Sequence, residues 1–248
     1  MNEPHALKPA MTAQQRTFSQ ATKSSLTLYR ELVVGKRPLL YFLGYEFCMT
    51  FLSGMPGLLG IAGRALAYPH LYRACGRRPA LGRGIVLRRP AQISLGKGVL
   101  VDDYAALDVR GDGASINLGD HVSIGRYSSI VSRGECVDLA QGVNVGSYCR
   151  IATESKIRIG ESVLVAAYSY IGPGNHQLRE GEPLISSAMD IRGGVTIEKH
   201  AWIGSHVTIM DGVTIGEGAI IGAHSFVTSD VPPKSLAVGS PAKVIREL

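Results

Sequence analysis

The chain has 248 residues and a formal net charge of +6, a length that suits one or two domains. Apolar residues make up 45% of it and aromatic residues only 6%, while glycine occurs 30 times, which favours a repetitive β architecture over a mixed globule. The four cysteines, at positions 48, 75, 136 and 149, show no metal or redox spacing, so we expect no metal, no disulfide framework and a reducing compartment.

Residues 1–25 form a polar lead that we predict to be flexible. No secretory signal is evident, because the first apolar run starts only near Pro38, behind this Ser-, Thr- and Gln-rich segment. We therefore expect a cytoplasmic protein.

Residues 26–93 are predicted to be a helical region that is both apolar and basic. Its apolar stretch, Leu39–Gly63, is followed by a block that is rich in Arg and contains no Asp or Glu up to Val101. Glu46 and the Gly-Met-Pro-Gly break at 54–57 disfavour a transmembrane helix. The pattern indicates peripheral contact through residues 39–97 with the inner face of the plasma membrane.

The alternative interpretation of the same region is a set of helices that cap the fold or pack between subunits. A nucleic acid partner is disfavoured, because the basic residues lack interleaved aromatic residues for stacking on bases.

Residues 94–231 repeat with a period of six. Aliphatic residues occupy the repeated position, and nine of them are followed directly by glycine. They are Leu95, Val101, Leu107, Leu118, Ile124, Ile130, Leu139, Val145, Ile151, Ile159, Val165, Ile171, Ile197, Ile203, Ile209, Ile215, Ile221 and Val227. A six-residue repeat of this kind predicts an all-β fold, a parallel β-helix of about six three-sided coils.

The repeat is interrupted four times, each time after a third segment, as expected for loops at one corner of such a coil. The longest interruption, residues 172–196, is more typical of a functional loop than of a simple connection. Pro232 and Pro233 end the repeat because neither can donate a ladder hydrogen bond. Residues 232–248 are left as a C-terminal tail.

Several motifs in the last third of the chain are typical of one enzyme family. They are Gly174-Asn175-His176, Ala201-Trp202-Ile203-Gly204-Ser205-His206, Val227-Thr228-Ser229-Asp230-Val231-Pro232-Pro233 and Gly239-Ser240-Pro241-Ala242-Lys243-Val244-Ile245-Arg246. With the repeat, they make the chain resemble the hexapeptide-repeat acyltransferases, in particular the galactoside, maltose and xenobiotic O-acetyltransferase branch. The basic N-terminal third resembles members that act in polysaccharide assembly.

This resemblance implies a left-handed β-helix, which has the shape of a three-sided prism, and a homotrimer. It also implies an active site in the cleft between the prisms of two subunits. It also implies direct transfer of acetyl from acetyl-CoA to a sugar hydroxyl of a surface polysaccharide or glycolipid. His176 would be the general base, since imidazole titrates near working pH. The backbone N–H of Ser205 would stabilise the oxyanion.

The family's cofactor contacts fall here on Trp202, Ser205, Ala223, Thr228, Ser229, Lys243 and Arg246. Trp202 is equally consistent with packing of coil against coil across the trimer. Lys243 and Arg246 would meet the phosphates of coenzyme A. For the glycan or lipid-linked sugar acceptor, the candidates are Asn175, Tyr170, Arg179 and Glu154.

Two other functions are compatible with a prism. One is a metal enzyme like the γ-class carbonic anhydrases, with zinc held by some of His121, His200, His206 and His224, which share one repeat position. The other is a non-catalytic scaffold at the membrane, against which the intact Gly-Asn-His motif argues.

Overall fold

The computed structural model describes residues 24–172, 176–177, 180 and 187–248. Its helices are α1 (Ser25–Val33), α2 (Leu39–Phe47) with a π-helical continuation (Cys48–Leu52), α3 (Gly57–Ala67), and two 3-10 turns (Tyr68–His70 and Pro90–Gln92). The Ser24 hydroxyl caps α1 by accepting from the Thr27 N–H at 3.3 Å. Pro38 and Pro56 directly precede α2 and α3, because proline is compatible with a helix start but not with a helix interior.

The rest of the chain is a succession of short strands, each forming one side of a coil. They are β1 (Ala74–Cys75), β2 (Ala80–Leu81), β3 (Val86–Arg88), β4 (Ile93–Leu95), β5 (Leu100–Val101), β6 (Ala106–Val109), β7 (Ser115–Leu118), β8 (Ser123–Ile124), β9 (Ser129–Ser132), β10 (Cys136–Leu139), β11 (Asn144–Val145), β12 (Arg150–Thr153), β13 (Lys156–Ile159), β14 (Leu164–Val165), β15 (Tyr170–Gly172), β16 (Val195–Ile197), β17 (Trp202–Ile203), β18 (Thr208–Met210), β19 (Thr214–Ile215), β20 (Ile220–Ile221), β21 (Phe226–Val227), β22 (Ser235–Gly239) and β23 (Ala242–Glu247).

These strands stack into three sheets that form the walls of a prism. The first sheet has the order β1-β4-β7-β10-β13-β16-β19, the second β2-β5-β8-β11-β14-β17-β20-β22-β23, and the third β3-β6-β9-β12-β15-β18-β21. All pairings except β22–β23 are parallel. We call the edge between the first and second sheets the first corner, that between the second and third the second corner, and that between the third and first the third corner.

The parallel β-helix predicted from the repeat is confirmed. The repeated aliphatic residues are buried and lie in register, as in Leu95–Leu118–Leu139–Ile159 on the first sheet. Every interruption of the repeat lies at the third corner, where residues 110–114, 133–135, 154–155 and 173–194 connect the third sheet to the first.

The prism has seven coils rather than about six, because β1–β3 form a coil that precedes the predicted start at residue 94. Leu81 pairs with Val101 and Leu87 with Leu107. The 3-10 turn Pro90–Gln92 adds two residues at the third corner. Because of these two residues, Leu81 and Leu87 do not fall on the six-residue repeat that starts at Leu95, so the repeat does not reveal the first coil. The helical part of residues 26–93 therefore ends at His70.

The predicted tail is also regular. After the two prolines, β22 extends the second sheet by pairing with β20, and β23 folds back on β22 as an antiparallel strand.

The helices cover the open end of the first coil. Phe42 and Tyr45 of α2 belong to the same buried core as Leu81 and Leu87 of that coil. Arg64 of α3 is almost fully buried. It donates from Nε to the carbonyl of Leu81 at 2.9 Å and from Nη1 to the carbonyls of Leu52 and Met55 at 3.0 and 2.8 Å. The arginine thus ties the helices to the edge strand of the second sheet.

Four tyrosines of the helical end are wholly or partly buried, and we predict that they make the free energy of unfolding fall at alkaline pH. Burial raises the pKa of Tyr41 to about 12 and also raises that of Tyr45, Tyr68 and Tyr72. Since these hydroxyls ionise more easily in the unfolded chain, their contribution to stability is complete below about pH 10 and is lost as pH rises from there. Denaturant titrations between pH 8 and pH 12 should show this loss, and a constant free energy of unfolding would contradict it.

The second corner carries a continuous stack of aromatic rings, which we call the aromatic ladder. Tyr104, Tyr127, Tyr148, Tyr168, His206 and His224 lie on successive coils, with ring centroids 4.6–5.2 Å apart and interplanar angles of at most 15°. All six have left-handed backbone conformations, which cost a non-glycine residue about 1–2 kcal/mol. Aromatic pairs contribute about 0.5–1.5 kcal/mol each, so stacking roughly offsets the conformational cost.

Candidate active site

His176 lies on the long loop that leaves β15 at the third corner. Its backbone forms an antiparallel bridge with Met189, and the Gln177 N–H donates to the Ala188 carbonyl at 2.9 Å, so two segments of the loop run side by side. The imidazole is exposed, with Nδ1 3.3 Å from the Ser187 carbonyl oxygen and 3.2 Å from its hydroxyl. If Nδ1–H donates to that carbonyl, the Nε2 lone pair is left available to accept a proton.

The end of this loop is fixed to the next coil. The Arg192 N–H donates to the carboxylate of Asp211, which is buried, and the Gly212 N–H donates to the Gly194 carbonyl at 2.7 Å. Ser187 and Asp211 were not predicted from the sequence, and no motif or spacing distinguishes them there.

Ser205 and Ala223 are neighbours on the second corner, one coil apart. Within the part of the chain that the structure describes, the Ser205 N–H has no acceptor, whereas those of Gly204 and His206 donate to the carbonyls of Ile221 and Ala167 at 2.8 and 3.1 Å. A Cβ on Gly204 would lie 2.7 Å from the Ala223 nitrogen, so glycine is required there. The corner therefore offers a free backbone donor beside a small side chain.

Trp202 and Arg246 share the outer wall of the second sheet. Trp202 pairs with Ile220, Ile220 with Leu236, and Leu236 with Arg246 across the terminal hairpin. Lys243 lies on the same final strand, and both of its cationic residues are exposed. The Trp202 side chain is 49% exposed, so packing within one chain leaves about half of its surface accessible.

Glu154, Thr228 and Ser229 lie at the third corner, on the same edge as the His176 loop. Glu154 is one coil below the loop and accepts from Arg133 at 3.4 Å. Tyr170 is in β15 on the third sheet, next to Arg150 and Thr208. Asn175 and Arg179, also predicted to contact the acceptor, lie outside the described residues.

The candidate residues of one protomer are thus divided between two edges. The loop with His176 starts at the third corner, whereas Ser205 and Ala223 lie at the second, and the third sheet separates these corners.

The four histidines considered as zinc ligands do not lie together. His206 and His224 are stacked at the second corner with centroids 4.6 Å apart, whereas His121 and His200 are at the first corner. Among the described residues, no group of three or more His, Cys, Asp or Glu side chains is placed to hold a metal ion.

Comparison with known proteins identifies the family. The model of the bacterial transferase hexapeptide repeat (six repeats) matches residues 194–229. Galactoside O-acetyltransferase of Escherichia coli is 37% identical over 121 residues, which are 47% of this chain and 57% of that protein, so the chain spans a little over half of its length.

A solved structure of the polysialic acid O-acetyltransferase OatWY has the same fold, with a TM-score of 0.55 and 21% identity over 70% of this chain and 84% of that one. WbbJ of Escherichia coli, named as a lipopolysaccharide biosynthesis O-acetyl transferase, is 31% identical over 148 residues, which are 56% of this chain and 74% of WbbJ. On this identity and coverage, the chain belongs to the hexapeptide-repeat acyltransferase family.

Proposed function

We propose that the protein is an O-acetyltransferase that moves an acetyl group from acetyl-CoA to a sugar hydroxyl in the assembly of a surface polysaccharide or glycolipid. Two observations carry this proposal: the chain has an oriented imidazole at one corner and, at another, a backbone N–H that has no acceptor among the described residues. The names of the two enzymes of Escherichia coli support the class of reaction and of acceptor.

In this mechanism the sugar hydroxyl attacks the thioester carbonyl while Nε2 of His176 accepts its proton. The carbonyl oxygen becomes an oxyanion, which the Ser205 N–H stabilises. Collapse of the tetrahedral intermediate forms the ester and breaks the carbon–sulfur bond. The departing thiolate takes the proton from the imidazolium, so the histidine is restored without an acyl-enzyme.

The second corner and the second sheet suit coenzyme A. The small Ala223 leaves room for the thiol-bearing arm, and the exposed Lys243 and Arg246 provide cations for its phosphates. Trp202, on the same sheet, would form a wall beside the arm. Thr228 and Ser229, at the other corner, would have to contact coenzyme A bound to a neighbouring protomer.

The division of the site between two corners supports a homotrimer with three clefts. In each cleft, the His176 loop of one protomer would face the Ser205 edge of the next. A closed ring is the expected result when two different surfaces of identical subunits meet repeatedly.

The direct test is acetyl transfer by the purified protein. With acetyl-CoA and surface glycan from the cells that encode it, thiol release should depend on the glycan, and the glycan should gain acetyl esters. Intact-mass spectra taken with acetyl-CoA alone should show unmodified protein. Failure to acetylate any fraction of that glycan would refute the proposal. An acetylated form of the protein that passes its acetyl group to the glycan would refute direct transfer.

The helical end of the prism supports a peripheral position on the inner face of the plasma membrane. The outer faces of α2 and α3 expose large apolar side chains, which are Leu39, Leu40, Leu43, Phe47, Phe51, Leu58, Leu59, Ile61 and Leu66. Exposed Arg37, Arg73, Arg77 and Arg78 lie at the same end. A large apolar surface beside cations suits an anionic bilayer. No helix in the described part of the chain could cross one.

We predict that vesicles containing anionic phospholipid sediment the native protein, and that the double variant Leu40→Glu/Leu58→Glu remains in solution. These leucines are 81% and 84% exposed, so the substitutions should leave the fold intact. Val244→Glu, at the opposite end of the prism, is the matched control and should sediment like the native chain. Equal sedimentation of the double variant would rule out this docking surface.

A further inference from the structure

The aromatic ladder is not required by the backbone that carries it. At the first corner, the equivalent left-handed positions of the coils hold Arg78, Gly98, His121, Gly142, Ser162, His200, Gly218 and Lys234. The backbone at the first corner therefore adopts the same left-handed conformation without a row of stacked aromatic rings. Since stacking only roughly offsets the cost of the left-handed backbone, stability alone does not account for four consecutive tyrosines at the second corner.

The ladder presents ring edges to solvent, because the faces of its internal rings cover one another. Tyr104, Tyr127, Tyr148 and Tyr168 are 40–52% exposed, although each is stacked on at least one neighbour. What remains accessible is an evenly spaced row of phenol groups, which both donate and accept hydrogen bonds. Such a row suits a partner that offers hydroxyl groups at a similar interval.

The residue before each tyrosine lines the same corner with small or polar groups. These residues are Asp103, Arg126, Ser147 and Ala167. The Arg126 guanidinium lies 3.2 Å from the Asp102 carboxylate, and Asp103 accepts from the Arg83 N–H at 2.8 Å. The acidic groups beside the ladder therefore have cationic or N–H partners, and the residues before Tyr148 and Tyr168 are the small Ser147 and Ala167.

The ladder joins the two ends of the molecule on which the proposed function depends. At its foot, Arg83 lies over the Tyr104 ring at 5.4 Å and lines a cleft of about 430 Å³ together with Pro56 and Ile61 at the start of α3. At its head, Tyr168 stacks on His206, the residue after Ser205. Spacings of 4.8–5.2 Å separate the rings from Tyr104 to His206, about 20 Å in all.

We propose that the tyrosine row of the ladder binds the acceptor as an extended oligosaccharide, with roughly one sugar ring per coil. This inference rests on the proposed function and narrows its substrate class. An acceptor anchored at the membrane end must reach past several coils to bring a hydroxyl to Ser205, so a chain of several sugars is required. A lipid carrying one sugar is too short.

The test separates the hydroxyl groups from the stack. The triple variant Tyr104→Phe/Tyr127→Phe/Tyr148→Phe keeps every ring and removes three hydroxyls, so its melting temperature should match that of the native protein. The probes are two size fractions of surface glycan from the cells that encode this chain, one of mono- and disaccharides and one of chains longer than the ladder. Ser162→Ala, which removes an exposed hydroxyl at the first corner, is the control.

The expected result is a KM for the long fraction raised roughly tenfold or more by the triple variant, with the KM for the short fraction unchanged. Ser162→Ala should change neither. Equal effects on both fractions, or no effect, would overturn the ladder proposal while leaving acetyl transfer intact. Calorimetric titration of both glycan fractions measures binding to the ladder even if the protein transfers no acetyl group. Binding of the long fraction alone that is lost in the triple variant would support the ladder proposal, even if the transferase proposal failed. If the native protein does not bind the long fraction, the ladder proposal is overturned.

Discussion

Replacing His176 with alanine is expected to lower kcat for acetyl transfer by about 100- to 10,000-fold, the range for loss of a positioned general base. Among the described residues the imidazole forms hydrogen bonds only with Ser187, and its ring is exposed, so the substitution should leave the fold and the KM for acetyl-CoA largely unchanged. The loss should appear in the chemical step, since the alanine variant still binds both substrates.

The measurement is steady-state kinetics at one fixed pH, with thiol release as the readout. Ser187→Ala is the matched control, because the Ser187 carbonyl still orients Nδ1 after the hydroxyl is removed, and it should retain most activity. An alanine variant with native kcat would exclude His176 as the base.

Replacing Arg64 with leucine is expected to lower the free energy of unfolding by about 3 kcal/mol or more. The guanidinium is buried and donates to three carbonyls, those of Leu52, Met55 and Leu81. Leucine fills much of the space but leaves the carbonyls of Leu81 and Met55 without this donor, while that of Leu52 keeps only the Met55 N–H at 3.4 Å. Each unsatisfied buried group costs about 1–3 kcal/mol.

Urea denaturation followed by circular dichroism measures this effect. Arg73→Leu is the control, because Arg73 is exposed, and its substitution should change stability by no more than about 0.5 kcal/mol. If Arg64→Leu is as stable as the control, the arginine is not the link between the helices and the second sheet.

The sequence predicts the prism well because its core is a strict repeat. Each repeated aliphatic residue is followed by a turn and pairs with its counterpart in the next coil, so period and architecture are directly related. The first coil was missed because the two extra residues near Pro90 shift Leu81 and Leu87 out of phase with the later repeat. The terminal hairpin was missed because β23 is exposed along almost its whole length and carries no inward periodicity.

The helical region was ambiguous for a different reason. Its helices are apolar on two faces, one of which packs on the first coil while the other is exposed, and hydrophobicity alone does not separate these roles. By sequence, Arg64 belongs to the block rich in Arg that follows Leu39–Gly63, yet in the structure it is buried and donates to carbonyls. Only tertiary contacts reveal that difference.

Motifs make His176 and Ser205 candidates for the site, but only the register of the strands shows that these candidates lie at two different corners. Ser187 lies in a loop that has no periodicity, and the Asp211 carboxylate on the next coil accepts from the Arg192 N–H of that loop, so the sequence carries no signal for either contact. The ladder could have been found: its tyrosines all occupy the third place after a repeated aliphatic residue, a position that points outward.

The most direct test of this account mixes two inactive variants in one trimer. His176→Ala removes the base, and Ala223→Trp should block the passage for the thiol-bearing arm at the other corner. Each homotrimer should be inactive. If every site is assembled from the third corner of one protomer and the second corner of the next, co-expressed and doubly tagged mixed trimers must regain acetyl transfer, because some clefts then combine two native edges. Mixed trimers as inactive as their parents would show that one protomer supplies both groups, which contradicts the account.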